Sequence, residues 1–259
     1  MNRILASDFT SIEELADKIS LDINHVGYIL VSDLFENISV LDDVKSKLLN
    51  LCSLVGNVTS HNKQNTPVWD IKAVDTSSII STFSEHANEA SLHTDSQYSD
   101  SPEEHFALYC VAKAKCLGGA SFFLSLENII KDLKKIEKGQ QTIEFLQENK
   151  YPFIVPDIFK ENPSGPPEVS FGYLLKEETI RFRVDAVERA LEIDSSLCSE
   201  QQIDSFKRLK RIILNSEKIL YTHIENNECL FINNQTMLHG RTQFNDTNRH
   251  LLRIRFNNK

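Results

Sequence analysis

His93-Thr94-Asp95 and, more than half the chain later, His239 within Leu238-His239-Gly240-Arg241 carry the side chains best suited to chemistry. Two imidazoles and one carboxylate hold iron(II) on one face and leave the opposite positions open for a chelating co-substrate and O2. Residues i and i+2 of a strand point to the same side of a sheet, so a strand over residues 91–95 would let His93 and Asp95 converge on one ion. His239 would then close the triangle. The same donor set also suits catalytic zinc, which leaves a zinc-dependent hydrolase open, as it does a non-catalytic small-molecule binding protein on the same scaffold.

The elements that must position these residues are predominantly short strands. An amphipathic helix with apolar positions 12, 15, 16 and 19 follows Thr10-Ser11, a buried strand covers 26–31, and a second helix runs over 40–54 with Gly56 placed to end it. These read as a cap ahead of the sheet core. Strand-like runs then occupy 68–74, 91–95, 105–112 and 120–124, the last introduced by Gly118-Gly119. Helices are expected over 126–136 and 142–147, followed by a surface excursion over 151–168 that holds five of the seven prolines. A hairpin over 169–175 and 179–184, a helix over 199–215 and strands over 218–224, 229–233 and 251–256 complete the pattern, with Asn226-Asn227 as a tight turn between the first two of these strands. Strands at both ends bracketing helical inserts predict an α/β chain with a mainly β core. The expected architecture is a double-stranded β-helix (jelly roll) with flanking helices and a helical and loop insert, formed by one domain over 1–259.

Bulk properties exclude several classes. The net charge is −9 and the one basic run, Lys207 to Arg211, sits within a predicted helix, so no nucleic-acid partner is expected. No apolar run approaches the roughly 20 residues that span a bilayer, and the first residues lack a targeting pattern, which predicts a cytoplasmic protein with no membrane partner. Five cysteines without CxxC spacing read as scattered thiols. Nothing in the sequence specifies an oligomeric state.

Four motifs in order, Ser91-Leu92-His93-Thr94-Asp95, Gly118-Gly119-Ala120-Ser121, Asn234 to Arg241 and Arg249-His250-Leu251-Leu252-Arg253, resemble those of the TauD/TfdA-like and clavaminate synthase-like iron(II)/2-oxoglutarate oxygenases. The resemblance covers Ser91 to Phe256. It implies that His93, Asp95 and His239 bind Fe(II), that Arg253 and Ser121 hold the distal carboxylate of the co-substrate 2-oxoglutarate, and that Arg249 stands where some relatives contact substrate. Arg249 and Arg241 could each instead anchor the loop after His239 by hydrogen bonds. The resemblance also implies consumption of O2 with release of succinate and CO2. Because related halogenases lack the carboxylate that Asp95 supplies, the resemblance implies hydroxylation or desaturation. Glu225 to Glu228 departs from the turn usual in the family.

The substrate is expected to be a small polar molecule, an amino acid or a natural-product intermediate. Arg181, Arg183 and Asp185 would share one strand face and could line its pocket, with Gln97 and Tyr98 just past the metal strand. The competing reading of the arginine row is a solvated outer face. Trp69 reads as core, and His25, His61, His86, His105, His223 and His250 as packed or exposed residues without a metal role.

Overall fold

A computed structural model describes residues 2–60, 66–73, 83, 86–160 and 162–259. The N-terminal part comprises β1 (Arg3–Leu5), α1 (Ile12–His25), β2 (Tyr28–Ser32), α2 (Leu41–Val55), β3 (Asn57–Val58), β4 (Val68–Lys72), β5 (Ala90–His93), β6 (His105–Ala112) and β7 (Ser121–Ser125). The middle adds α3 (Leu126–Leu133), α4 (Gly139–Glu148), β8 (Lys150–Ile154), β9 (Val169–Tyr173), β10 (Leu175–Lys176), β11 (Thr179–Ile180), α5 (Val184–Ile193) and α6 (Glu200–Leu214). The chain closes with β12 (Leu220–Thr222), β13 (Cys229–Asn233), β14 (Met237–Arg241) and β15 (His250–Asn257).

The larger sheet runs β1-β2-β13-β6-β15-β3, with β4 also on β15, and the smaller runs β12-β7-β14-β5. Apart from the parallel pair β1/β2, both are antiparallel. They share an apolar layer in which Phe106, Leu230, Ile232 and Leu251 of the first sheet meet Phe123 and Met237 of the second. On the opposite face of the larger sheet, Leu15, Ile19 and Ile23 of α1 and Leu48, Leu51 and Cys52 of α2 pack with Phe231, Leu252 and Ile254. The N-terminal segment is thus part of the sheet: β2 pairs with β13, and the expected cap is a covering helical layer. Ser11 caps α1 by accepting from Glu14 N–H. Gly56 ends α2 in extended backbone, because a Cβ there would lie 2.4 Å from the Asn257 carbonyl oxygen.

Several elements differ from the sequence-based expectation. The expected strand over 68–74 is β4, and its last residue lies outside the described residues, as does His61. The proline-rich excursion begins only after β8, because Tyr151 and Phe153 alternate into the core and β8 pairs with β9. Buried Lys160 then closes the remaining loop on itself, bonding the Gly165 and Pro166 carbonyls at 2.9 and 3.3 Å and Asp157 at 2.7 Å. The hairpin is shorter than expected: β10 and β11 turn at Glu177 and Glu178. Residues 184–193 form α5, so Arg181, Arg183 and Asp185 do not share a strand face. β12 and β13 lie in different sheets and do not pair. Among the described residues no helix is long and apolar enough to cross a membrane.

β14 carries His239 directly opposite His93 of β5, and the register shifts before Arg241 meets Ala90. Ser91 and Leu92 therefore face the single residue Gly240, a bulge that re-aims the end of β5. Gly240 has no room for a side chain, since a Cβ would sit 2.3 Å from the Phe122 ring and 2.6 Å from the Ala90 carbonyl oxygen. Gly240→Ala is expected to lower stability by about 1–3 kcal/mol and to weaken metal binding by displacing β5 from β14. Thermal unfolding alongside metal titration checks both effects.

Candidate active site

β5 stops at His93, and Asp95 lies in the turn beyond it, so the i, i+2 strand geometry expected for the pair does not hold. Other backbone partners draw the chain off the ladder. Thr94 N–H donates to Phe182 O at 2.8 Å, and Asp95 N–H to Asn234 Oδ1 at 2.7 Å. Asn234 also donates to the Asp95 and Glu103 carbonyls at 3.2 and 2.8 Å. The buried Asn234 amide thus fixes the turn that the strand was expected to supply.

The three side chains still converge. One ligand atom from each of His93, Asp95 and His239 lies within 4.8 Å of the other two. Asp95 Oδ1 is 3.7 Å from His93 Nε2 and 3.8 Å from His239 Nε2. His93 Nδ1 lies 2.7 Å from Ser91 O, which fits the tautomer that carries hydrogen on Nδ1 and leaves the Nε2 lone pair for a metal. Burial, reinforced by His93, holds His239 well below the usual imidazole range and so neutral.

The two oxygens of Asp95 have different surroundings. Oδ1 faces the imidazoles, whereas Oδ2 accepts from Arg253 at 2.9 Å and Arg255 at 3.0 Å. Burial alone would raise this carboxyl, but the two guanidinium groups outweigh it and hold it ionised well below the ordinary range. A buried anion with one oxygen held and the other turned to two imidazoles fits a monodentate ligand to a divalent cation. Arg255 escaped the sequence reading; its signal was the two-residue spacing from Arg253, which places both on one face of β15.

Two lobes open from the triad, both walled by His93, Asp95, Phe83 and Arg253. One runs between Phe106, Leu108 and Leu251 to Ser121 and Arg249. Arg249 is 5% exposed, and its described contacts include a stacking face on Phe244 but no carboxylate. Burial pushes its guanidinium down to about 10. Gly119, at φ +80°, lets it approach: a Cβ there would stand 3.3 Å from Arg249 Nε. Arg241, whose role the sequence left open, is a tether. It donates to the carbonyls of Phe83, His86 and Asn88 at 3.2, 2.8 and 2.5 Å.

The other lobe is lined by Trp69, Gln97, Tyr98, Phe159, Arg183 and Arg255. Trp69 is half-buried: it packs against the apolar layer between the sheets, as expected, and also walls this lobe. Tyr98 stacks on Phe159 of the proline-rich loop, centroids 4.9 Å apart. Arg183 lies over the Phe83 ring at 4.1 Å and pairs with Asp185 at 3.0 Å. Arg181 borders neither lobe; it covers Gly172 and donates to Asp100 O at 3.3 Å.

The model of the taurine catabolism dioxygenase TauD, TfdA family matches residues 7–255. The chain belongs to the TauD/TfdA dioxygenase family. As a TauD/TfdA enzyme it is an oxidoreductase working with iron(II), 2-oxoglutarate and O2. Comparison with curated proteins returned no match. Among solved structures it is similar to an asparagine oxygenase in complex with Fe(II), 3-hydroxyasparagine and succinate, at 15% identity and TM-score 0.73 over 94% of this chain and 78% of that one. It is also similar to the non-heme iron oxygenase OrfP in complex with Fe and alpha-ketoglutaric acid, at 16% identity and TM-score 0.68 over 96% and 80%. A third similar structure is PvcB, an Fe, alpha-ketoglutarate dependent oxygenase from an isonitrile synthetic pathway, at 16% identity and TM-score 0.60 over 98% and 82%. At these identities the structural likenesses bear on the fold alone.

Proposed function

We propose that residues 1–259 act as one domain, a jelly roll, that hydroxylates or desaturates a small carboxylate-bearing molecule, with His93, Asp95 and His239 as the iron ligands. The two antiparallel sheets sharing one apolar layer support that architecture. The observation that carries the functional reading is Arg249, a buried guanidinium with no carboxylate among the described residues, in the lobe it shares with Ser121. A buried cation calls for an anion. A dicarboxylate chelating a metal at the triad would lay its methylenes along Phe106, Leu108 and Leu251 and reach Arg249 and Ser121 with its far end.

This exchanges the roles expected for the two arginines. Arg253 commits a guanidinium nitrogen to Asp95 and borders both lobes, which suits it to orient the iron ligand and to meet an anionic substrate. When bound, iron(II) with 2-oxoglutarate would activate O2, the oxidant, with succinate and CO2 as co-products. The protein's own residues hold His239 neutral and Asp95 ionised, and they position the substrate. Among the described lining residues Asp95 is the sole carboxylate, and with Oδ2 taken by two arginines it is poorly placed as the general base that a zinc hydrolase needs.

Anaerobic addition of iron(II) and 2-oxoglutarate is expected to produce a weak visible charge-transfer band that neither produces alone. A folded, metal-loaded protein without that band would overturn the oxygenase reading.

A further inference from the structure

Gln97 is 1% exposed, and neither Oε1 nor Nε2 of its amide has a hydrogen-bond partner among the described residues. It borders the lobe that holds His93, Asp95 and Arg253. Ser96, between Asp95 and Gln97, adopts φ +54°, and Ser99 N–H closes the turn on Ser96 O at 2.8 Å. A non-glycine residue in that region is strained, so the chain holds Gln97 beside the triad at some cost. An amide left with both polar atoms unmatched is a poor structural element and a good recognition element.

The chemistry of the missing partner follows from the amide and its neighbours. Oε1 requires a donor and Nε2 an acceptor, so a ligand offering both side by side is needed. A carboxylate alone leaves Oε1 unmatched. The ammonium of a free amino acid would donate to Oε1, but the described lining carries Arg183, Arg253 and Arg255 against the single carboxylate of Asp95. Asp185 is taken up by Arg183, Glu103 lies beside Arg255, and Asp95 is held by two arginines and directed at the metal position, so a positive charge there finds no free carboxylate on the described lining to receive it. A neutral amide N–H donates without that penalty, and an adjacent carboxylate accepts from Nε2 and from Arg253.

We propose that Gln97 determines specificity by pairing with a neutral amide of the substrate, and that the enzyme oxidises an amide-bearing carboxylate of the N-acyl amino acid type in preference to free amino acids. This rests on the assignment of the Gln97 lobe as the substrate side. Each substrate is added anaerobically to the iron–2-oxoglutarate complex, and its binding is read from the shift of the charge-transfer band, without turnover. The probes are a panel of N-acetyl-L-amino acids and their free parents.

At least one N-acetyl form is expected to bind about tenfold or more tightly than its parent. Gln97→Leu is expected to lose most of that affinity, while Gln97→Glu, which supplies a carboxylate, shifts preference toward the free parent. Gln97→Leu is also expected to raise the Tm by about 2–6 °C, because it removes two unmatched buried polar atoms. Parents binding as well as their N-acetyl forms, no panel member binding, or unchanged selectivity in Gln97→Leu would each overturn the proposal. The band formed before any substrate is added tests the oxygenase reading separately, so the two failures are distinguishable.

Discussion

Replacing Asp95 with alanine is expected to abolish the iron–2-oxoglutarate band and, in the metal-free protein, to lower stability by about 3–5 kcal/mol. The second effect is the more diagnostic. A carboxylate kept only for a metal would be a liability without it, and its removal would stabilise the apoprotein. Asp95 instead accepts from Arg253 and Arg255, both less than 15% exposed at their side chains, and its loss strands Arg253 and leaves Arg255 only the longer pair with Glu103 at 3.8 Å. At roughly 2–4 °C per kcal/mol for a chain of this size, the Tm should fall by about 6–20 °C. Thermal unfolding with a chelator present measures this, and a metal-free Asp95→Ala protein as stable as the wild type would refute the account.

The pH dependence has a definite sign. Because folding lowers the Asp95 carboxyl well below its ordinary value, its stabilisation is full above the unfolded value, near pH 4, and is lost as pH falls through the folded value. Asp95→Asn, which keeps the shape and loses the charge, should flatten that acid limb. It should still fail to form the band, since the neutral amide is a poor ligand for a hard divalent cation.

How legible this site was in the sequence varies by residue, for physical reasons. The triad could be read because two imidazoles and a carboxylate are a restricted donor set, and the surrounding motifs kept their order. The placement of Asp95 could not, because side-chain alternation assumes a continuing ladder and here Phe182 and Asn234 capture the backbone after His93. Asn226-Asn227 forms the turn that its residue types predict, with Asn227 at φ +63°. Its flanking strands do not pair because burial separates them: Leu220 and Tyr221 are 46% and 61% exposed, whereas Cys229–Asn233 is buried throughout. A strand covered on both faces belongs in the middle of a sheet, and an exposed one at an edge. α5 was masked by the alternation of Arg181 to Asp185, although Val184, Val187, Ala190 and Leu191 carry helical spacing. The two arginines four residues apart were the hardest to separate. β15 shifts register between His250 and Leu251, so positions on either side of that irregularity do not keep simple strand phase.

That irregularity makes Arg249 the sharpest test of the co-substrate assignment. Arg249→Leu is expected to raise the Kd for 2-oxoglutarate by about 30-fold to several thousand-fold, the 2–5 kcal/mol associated with truncating one partner of a buried, hydrogen-bonded charge pair. The apoprotein should respond in the opposite sense to Asp95→Ala. Arg249 is buried without a described carboxylate, so an apolar replacement of similar reach removes an uncompensated charge and should leave the Tm unchanged or raise it. Adding 2-oxoglutarate at a hundred times its Kd to the metal-loaded wild type should stabilise it by about 2.7 kcal/mol, and at that concentration the variant should show much less protection. Arg249→Lys keeps the charge but loses the planar fork, so it should fall between the two. In Arg253→Leu, by contrast, 2-oxoglutarate affinity should change less, while Asp95 retains only Arg255 and the apoprotein loses stability. Full 2-oxoglutarate affinity in Arg249→Leu together with a large loss in Arg253→Leu would return the clamp to Arg253. Anaerobic titration of the charge-transfer band in both variants decides between the two arginines, because each assignment predicts the larger loss in a different protein.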